Sequence, residues 1–376
     1  MVKDKGRDMG KLKLELDEVE LGELRRQKFL TMEQKRIEQI AKIARPTVLA
    51  VGIGGAGSNV ISWVKKRKVA GGKLISVNTD ASHLAVSVAH KKILIGEKIT
   101  KGLGCGGYPK LGEQAMYETM DEVFKEVVGA NIIFLVAGLG GGTGTGGACA
   151  LADELRRRIS PEIHNLIIGV VTLPFEIETA RMKIARQGIK RLQESCDTVV
   201  VIDNNRLIKI AGNLPFRKAL GVANTTIGKF IKGITETITT ASLINLDYAD
   251  LRAIMKGAGL ASIGVGEGKG DGRVEQAVER ALDGRLLDIE DITKARGVLI
   301  HISGGEGMSL QDVHHAGELV KRSIPPKAKV IWGARVDKAL KGTASVMVVL
   351  TGVESAFLRR HPGSRFRSLF SNKLNW

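Results

Sequence analysis

The residues best suited to chemistry lie in a glycine-rich stretch that runs from Gly138 to Ala148, GLGGGTGTGGA. It follows the apolar run at residues 132–137 and precedes a segment with helical patterning. Glycine lets the backbone approach a ligand closely, and the N–H groups at the start of a helix attract anions. The sequence lacks the G-x-x-x-x-G-K-[ST] pattern of the ordinary P-loop. We therefore predict a strand, a phosphate-binding loop without a lysine, and a helix, with Thr143 and Thr145 as additional hydroxyl donors.

A second glycine pattern allows a different prediction. Gly52, Gly54 and Gly57 satisfy G-x-G-x-x-G after an apolar run, and Asp80 stands at the end of the next predicted strand. This is the fingerprint of a dinucleotide site, and alone it would predict NAD and an oxidoreductase. Three glycine-rich turns follow predicted strands, however: GIGGAGSN, GLGCGGYP and GLGGGTGTGG. Three such turns at one sheet edge suit a triphosphate better than a pyrophosphate.

Composition narrows the class of protein. The chain has 376 residues, of which 43% are hydrophobic, enough for two domains with buried cores. No apolar run reaches the roughly 18 residues of a membrane span, and the charged start does not resemble a secretory signal. Cys105, Cys149 and Cys196, without any C-x-x-C, indicate a reducing compartment with neither disulfides nor zinc. The net charge of +17 favours polyanionic partners, but only 4% of residues are aromatic, so nucleic acid is not expected as the main partner.

Strand and helix patterns alternate, which predicts an α/β fold with a doubly wound parallel sheet, a long connecting helix and a smaller α+β second domain. The predicted parts are an N-terminal extension with an amphipathic helix at 1–45, a nucleotide-binding domain including the connecting helix at 46–242, an α+β domain at 243–357 and a basic flexible tail at 358–376. In addition, one helix is predicted whose apolar face consists of Met116, Met120, Val123, Phe124 and Val127. The tail is either a disordered end or a basic amphipathic segment for an anionic membrane or an adaptor protein.

Several motifs occur in a fixed order: GxGGAGxN, NTDA at 78–81, GGGTGTG, TLPF at 172–175 and NLDYAD at 245–250. With ARGVLIHISGGEGMSL and VMVVLTGV in the second domain, the chain resembles the FtsZ/tubulin superfamily of polymerising GTPases, and FtsZ more than tubulin, over residues 46–357. The resemblance implies a GTP-dependent cytoskeletal homopolymer of head-to-tail filaments, archaeal in style and cytoplasmic, at the mid-cell division site on the inner face of the membrane. A related protein that controls cell shape is the alternative.

The resemblance also implies which residues hold the nucleotide, GTP or GDP. The first turn would contribute Gly54, Gly55, Ala56, Gly57, Ser58 and Asn59. The second, from Gly104 to Pro109 with Gly106 and Gly107, would approach the γ-phosphate. The third would cradle the α- and β-phosphates with Gly141, Gly142, Thr143, Gly144, Thr145 and Gly146. Asp80 would lie near the phosphates and Mg²⁺, while Asn204 and Asn224 would recognise guanine and, with Glu178 and Arg181, hold the nucleoside.

Catalysis is implied for Asn245, Asp247 and Asp250, which in this family serve the nucleotide of the next subunit. A pair of carboxylates can orient and partly deprotonate water, and phosphoryl transfer depends mostly on positioning and charge stabilisation. The i, i+3 spacing of the two acids at a helix start puts them on one face. Without the resemblance, the preferred interpretation would be that these residues cap the helix YADLRAIMKG.

Three features depart from the family pattern. Glu178 and Arg181 are three residues apart where four are expected, which leaves Glu176 as an alternative acid. Leu220 stands where an aromatic ring usually stacks on guanine, and Asp203 replaces a proline before Asn204. These differences leave the phosphate residues intact and predict weaker stacking on the base.

Overall fold

The computed structural model describes residues 32–37, 46–159, 165–211, 213–240, 244, 246–283 and 294–354. Contacts divide the chain into two units, residues 1–45 and residues 46–376. In the first unit a helix, α1, covers residues 32–37, inside the predicted amphipathic helix. The rest of the predicted extension and the basic tail at 358–376 lie outside the described residues.

One sheet of ten strands runs through the second unit in the order β3-β2-β1-β4-β5-β6-β7-β10-β8-β9. The strands are β1 (Val48–Ile53), β2 (Gly72–Asn78), β3 (Lys91–Leu94), β4 (Ile132–Gly138), β5 (Leu166–Leu173), β6 (Thr198–Asp203), β7 (Gly259–Lys269), β8 (Gly297–Gly304), β9 (Lys329–Val336) and β10 (Thr343–Thr351). The first seven are parallel, β10 is antiparallel to β7 and β8, and β8 is parallel to β9. The predicted α/β fold with a doubly wound parallel sheet is confirmed.

Helices cover both faces of this sheet. They are α2 (Gly54–Lys66), α3 (Ala81–Val86), α4 (Glu97–Thr100), α5 (Pro109–Glu118), α6 (Met120–Val127), α7 (Ala148–Arg158), α8 (Thr179–Ser195), α9 (Asn204–Ala211), α10 (Phe216–Thr239), α11 (Tyr248–Met255), α12 (Arg273–Asp283) and α13 (Leu310–Arg322). A π-helical turn at Thr143–Gly147 leads into α7. Among the helices that the structure describes, none is both long and apolar enough to cross a membrane.

Two apolar cores form because side chains alternate between the faces of each strand. In β4, Ile133 and Leu135 enter the core under α5–α8, α12 and α13, while Ile132 and Phe134 enter the core under α2, α10 and α11. The ring of Phe134 meets that of Phe230 on α10 edge to face, with centroids 5.6 Å apart. Burial on both faces explains why β4 reads as a continuous apolar run rather than an alternating pattern.

The two halves of the sheet join where β6 meets β7. These strands pair through only three residue pairs, Thr198–Gly259, Val199–Leu260 and Val200–Ala261. The long helix α10 packs across this region and buries an apolar stripe that consists of Ala223, Ile227, Phe230, Ile231 and Ile234. Because contacts group residues 46–376 as one unit, the predicted domain boundary near residue 242 stays a prediction.

The predicted single helix around residues 116–127 is wrong, since α5 ends at Glu118 and α6 begins at Met120. Thr119 between them has φ −115° and ψ 13°, which is not helical. Its hydroxyl accepts a hydrogen bond from the Gly96 backbone N–H at 3.3 Å. The apolar side chains of both helices still meet in one core, so the periodicity identified the buried face but not the break.

His301 of β8 is buried against α10, with Nδ1 3.1 Å from Thr237 Oγ1 and Nε2 3.0 Å from Ser303 Oγ. Burial, with the nearby charge of Arg335, lowers its pKa from 6.5 to about 4. The unfolded chain therefore binds more protons between these values. The stability that the folded state gains from keeping His301 neutral is complete above pH 6.5. It is lost as the pH falls towards 4, by up to about 3 kcal/mol.

We expect the thermal midpoint to decrease over this pH range, and we expect His301→Asn to make the decrease smaller because asparagine does not titrate. Thermal unfolding of both proteins at pH 7 and pH 4.5 measures the effect. An equal decrease in both proteins would assign the acid sensitivity to other groups.

Candidate nucleotide-binding site

The three predicted glycine turns follow β1, β3 and β4, whose carboxyl ends share one edge of the parallel sheet. The first turn touches the third: Gly54 has φ +72°, and a Cβ added there would lie 3.0 Å from the Gly144 nitrogen. The second touches the third as well, because a Cβ at Gly142 would lie 2.5 Å from Cys105 Cβ. The structure thus brings the three turns together as a single layer of backbone.

Hydroxyl groups connect these turns. The Oγ1 atoms of Thr79, after β2, and Thr143 are 2.7 Å apart, and Cys105 Sγ lies 3.4 Å from Thr79 Oγ1. The buried Thr145 hydroxyl accepts a hydrogen bond from the Gly140 N–H at 2.9 Å, which shapes the third turn from within. The third turn includes the π-helical turn at Thr143–Gly147, and π-helical turns are frequent at functional sites.

Open space borders the turns at Gly107 and Gly141. A Cβ at either position would meet no atom within 4 Å. Gly57 differs, because a Cβ there would lie 2.3 Å from the Val136 carbonyl oxygen. Ser58 is fully buried in α2, whereas Asn59 is exposed. The predicted first turn therefore contains both packing residues and residues that face the opening.

Asp80 caps α3, with its Oδ1 accepting a hydrogen bond from the His83 N–H at 2.9 Å. Asn78 supports this turn, since its Oδ1 accepts from the Thr79 N–H at 2.9 Å. The His83 ring lies against the first turn, with Nε2 3.7 Å from the Cβ position of Gly55. His83 could not be predicted as part of this edge, because a single histidine three residues after an aspartate matches no motif. The only signal would have been its place one helical turn after a capping residue.

Glu178 and Arg181 form an ion pair at the start of α8, with Oε2 and Nη1 2.7 Å apart. Glu178 Oε1 also accepts a hydrogen bond from the Phe175 N–H at 3.1 Å. The Cβ of Arg181 lies 3.0 Å from the Cβ position of Gly140, so the pair borders the third turn. The backbone N–H of the rival acid Glu176 donates to Asn205 Oδ1 at 2.9 Å. The unusual spacing therefore fits an i, i+3 pair within one helical turn.

The two predicted guanine residues lie in different surroundings. Asn204 begins α9 directly after β6, at the same sheet edge as the turns. Asn224, on α10, lines a cavity of about 970 Å³ whose wall includes Trp63 and Arg206. None of the described glycine-turn residues lines that cavity. Asn204 thus lies at the edge that carries the turns, and Asn224 shares its cavity with Arg206 of α9, the helix that Asn204 begins.

The predicted catalytic acids lie at the other edge of the sheet. Asp247 caps α11 by accepting a hydrogen bond from the Ala249 N–H at 3.0 Å, and Asp250 stands in the first turn. Both residues are exposed. Helix α11 precedes β7, whose first residue, Gly259, pairs with the first residue of β6, so it lies at the amino ends of the parallel strands. The remaining predicted residue, Asn245, lies outside the described residues.

Known proteins share this architecture. Residues 47–212 match the family model described as the GTPase domain of the Tubulin/FtsZ family, and residues 259–354 match the C-terminal domain of the FtsZ family. Cell division protein FtsZ 2 of Methanocaldococcus jannaschii is 46% identical over 312 residues, which cover 82% of this chain and 80% of that protein. Cell division protein FtsZ of Methanothermobacter thermautotrophicus is 40% identical over 340 residues, covering 90% and 88%.

Two solved structures superpose on this chain. An empty FtsZ dimer from M. jannaschii superposes with a TM-score of 0.79 at 41% identity, covering 85% of this chain and 92% of that one. CetZ2 from Haloferax volcanii superposes with a TM-score of 0.69 over 86% and 99% of the two chains, and at 21% identity it shows the fold alone.

Glycine turns at the carboxyl edge of a doubly wound parallel sheet, which continues into a second set of strands of mixed direction, are typical of a tubulin-like GTPase. Within that class, the matches in sequence and structure identify one family. The chain belongs to the FtsZ family, carries its GTPase domain and binds guanine nucleotide. The interpretation as an NAD-dependent oxidoreductase receives no support from these matches.

Proposed function

We propose that the chain is a division protein that assembles head to tail into filaments and hydrolyses GTP at each junction between subunits. The three glycine turns of one subunit hold the nucleotide, and Asp247 and Asp250 of the next subunit act on it. The site of action is the cytoplasm at mid-cell, on the inner face of the membrane. The basic tail at 358–376 connects the filament to an anionic membrane or an adaptor protein.

A single observation carries this proposal: the acids and the glycine turns lie at opposite ends of the parallel strands. The turns follow the carboxyl ends of β1, β3 and β4, whereas α11 lies at the amino end of β7. Helix α10, which precedes α11 in the chain, has 24 residues and is therefore about 36 Å long. The central strands separate the two edges, by about 23 Å over the seven residues of β4. The acids of one chain are therefore too far from its own turns to act there, but they suit the turns of a neighbour stacked end to end.

Exposed apolar side chains support a protein contact at the nucleotide edge. Leu103 and Tyr108 follow β3, and they are 85% and 70% exposed. Ile177 follows β5 and Ile208 follows β6, at 89% and 60%. Apolar groups gathered at one end of a molecule mark an interaction surface. Because this end differs from the end that carries the acids, the contact is head to tail, does not close, and produces a filament.

In the proposed reaction, the turns of one subunit bind the phosphates and the acids of the next subunit act on the attacking water. Backbone N–H groups of the third turn and the start of α7 suit phosphate oxygens, and the open space at Gly107 and Gly141 leaves room for them. The carboxylates of Asp247 and Asp250, delivered by the next subunit, would orient the attacking water and accept its proton. Neither edge holds both sets of groups, so hydrolysis requires assembly.

Mg²⁺ belongs to this proposal as an ion carried mainly by the nucleotide. Across the described ranges, no group of three or more His, Cys, Asp or Glu side chains is arranged to hold a metal. Mg²⁺ is usually held by one or two carboxylates together with substrate phosphates. Asp80 fits this role, since it borders the second turn with its Cβ 3.9 Å from the Cβ position of Gly104. When bound, the ion would neutralise phosphate charge, and the chain would supply one carboxylate.

We expect GTP turnover per molecule to increase steeply with protein concentration, because each active site forms only when two subunits meet. Phosphate release and light scattering, measured on the same samples with GTP and with GDP, test this. Both signals should rise above the same threshold concentration, and GDP should give neither. A constant turnover per molecule from the most dilute to the most concentrated sample would contradict the proposal.

A further inference from the structure

Three contacts fix the carboxyl end of α11 to both halves of the sheet. The Met255 carbonyl accepts a hydrogen bond from the Thr198 hydroxyl of β6, and the Ile254 carbonyl accepts one from the Thr351 hydroxyl of β10 at 2.9 Å. Lys256, which follows the helix, lies 3.0 Å from the buried carboxylate of Asp197. This end of α11 is therefore held in place. The acids, however, lie at the other end, one to two helical turns away.

That other end is packed through the buried Leu246 and Leu251, and Tyr248 adds a polar contact to the sheet. The hydroxyl of Tyr248, the first residue of α11, donates a hydrogen bond to the Asn131 carbonyl oxygen at 3.1 Å, and its ring packs against the core under α10. The acceptor is itself rigid. The same carbonyl accepts from the Leu166 N–H at 2.8 Å, and Asn131 Oδ1 accepts from the Thr47 N–H at 2.8 Å. The starts of β1, β4 and β5 thus meet at Asn131, the residue whose backbone carbonyl Tyr248 contacts.

We propose that Tyr248 is a positioning residue for GTP hydrolysis: its bond to Asn131 fixes the direction of the first turn of α11 and with it the carboxylates of Asp247 and Asp250. This inference rests on the proposed function, in which these acids act on the neighbour's nucleotide. Tyr248 is half-buried directly between the exposed Asp247 and Ala249. Without its hydroxyl bond, the start of α11 would keep its apolar packing, such as that of the fully buried Leu251, but would lose this directional contact. Misplacement of catalytic groups by about 1 Å is enough to slow a reaction strongly.

The properties of Tyr248 suit this role. Burial raises the pKa of its hydroxyl above the ordinary value of 10.0, so the group keeps its proton at neutral pH and remains a donor. Phenylalanine would keep the packing of the ring and remove only the donor. The acceptor is a backbone carbonyl, so the contact can be removed only from the tyrosine side. Tyr248→Phe therefore isolates the hydrogen bond.

The test compares Tyr248→Phe in the full chain with Tyr117→Phe, a matched change at a 44% exposed residue of α5. We expect Tyr248→Phe to lower kcat per assembled subunit about three- to tenfold, the effect of one lost hydrogen bond on a transition state. The KM for GTP and the threshold concentration for assembly should stay at wild-type values, and the thermal midpoint should fall by no more than the few degrees that one lost hydrogen bond costs. Tyr117→Phe should change nothing. Thr47→Val, which removes a hydroxyl bonded to Asn131 Oδ1 at 3.1 Å, should lower kcat less.

Wild-type kcat in Tyr248→Phe would overturn the inference. So would a reduced kcat accompanied by a higher assembly threshold, or by a thermal midpoint lowered by more than one hydrogen bond costs, since Tyr248 would then support only the fold. Asp250→Ala separates this failure from failure of the proposed function. If Asp250→Ala turns over GTP normally, the proposed function is wrong. If it is inactive while Tyr248→Phe is fully active, only the positioning role is wrong.

Discussion

Replacing Asp250 with alanine is expected to lower GTP turnover about a hundredfold or more, while GTP still binds and filaments persist longer. The size follows from the loss of a group that orients water and accepts its proton. The glycine turns lie at the opposite edge of the sheet, so binding is unaffected. Asp250 is exposed, so the fold should lose only its interaction with the helix dipole, about 0.3–1 kcal/mol. Phosphate release, nucleotide titration and sedimentation of filaments measure the three effects.

Glu275→Ala is the matched control for this variant. Glu275 occupies the third position of α12, as Asp250 does in α11, and it is also exposed. The two substitutions remove the same charge from the same place in a helix. If Glu275→Ala lowered turnover as much as Asp250→Ala, the loss would come from helix stability and not from catalysis.

Mixing two variants with impaired turnover, at a GTP concentration too low for Gly141→Ala to bind it, tests whether the acids act in trans. Asp250→Ala keeps its glycine turns, whereas Gly141→Ala, whose added methyl would occupy the opening of the third turn, keeps its acids. A junction that pairs the turns of the first with the acids of the second contains a complete site, so the mixture should recover turnover. A mixture no more active than its separate components would rule out a shared site.

The nucleotide edge was predictable from the sequence because its signals are local. The run Ile132–Gly138 followed by glycines indicates a buried strand and a tight turn within a dozen residues. The carboxyl ends of parallel strands meet at one edge, so finding the glycine turns together needed no further information. The i, i+3 ion pair of Glu178 and Arg181 is local in the same sense, although the departure from the family spacing obscured it.

Features that depend on contacts distant in sequence could not be predicted. Thr119 breaks a helical pattern because its hydroxyl accepts a bond from the backbone of Gly96. The three-pair junction between β6 and β7 connects residues about sixty positions apart, and no periodicity reveals it. Asp247 shows a different difficulty. It caps α11, as the sequence predicts without the family resemblance, and the cap is compatible with the proposed catalytic role because one carboxylate can serve both purposes.

Alanine at Gly142 is expected to destabilise the fold, whereas alanine at Gly141 is expected to leave its stability unchanged. A Cβ at Gly142 would lie 2.5 Å from Cys105 Cβ and 2.8 Å from the Tyr108 carbonyl oxygen, so the second and third turns must separate. Overpacking of this kind costs about 1–3 kcal/mol, and Gly142→Ala should therefore lower the thermal midpoint of the nucleotide-free protein. Gly141→Ala meets no atom within 4 Å and should leave that midpoint unchanged.

Binding should change in both variants, but for different reasons. At Gly142 the layer of backbone that would hold the phosphates is displaced. At Gly141 the layer is intact, and the methyl group occupies space that the phosphates need, which should weaken binding of a fluorescent GTP analogue about ten- to hundredfold. Gly141→Ala is the more informative variant, because its nucleotide-free fold serves as its own control. If a stable Gly141→Ala protein bound the analogue tightly, the phosphates would not lie beside the third turn. They would then have to lie beside the first or the second turn.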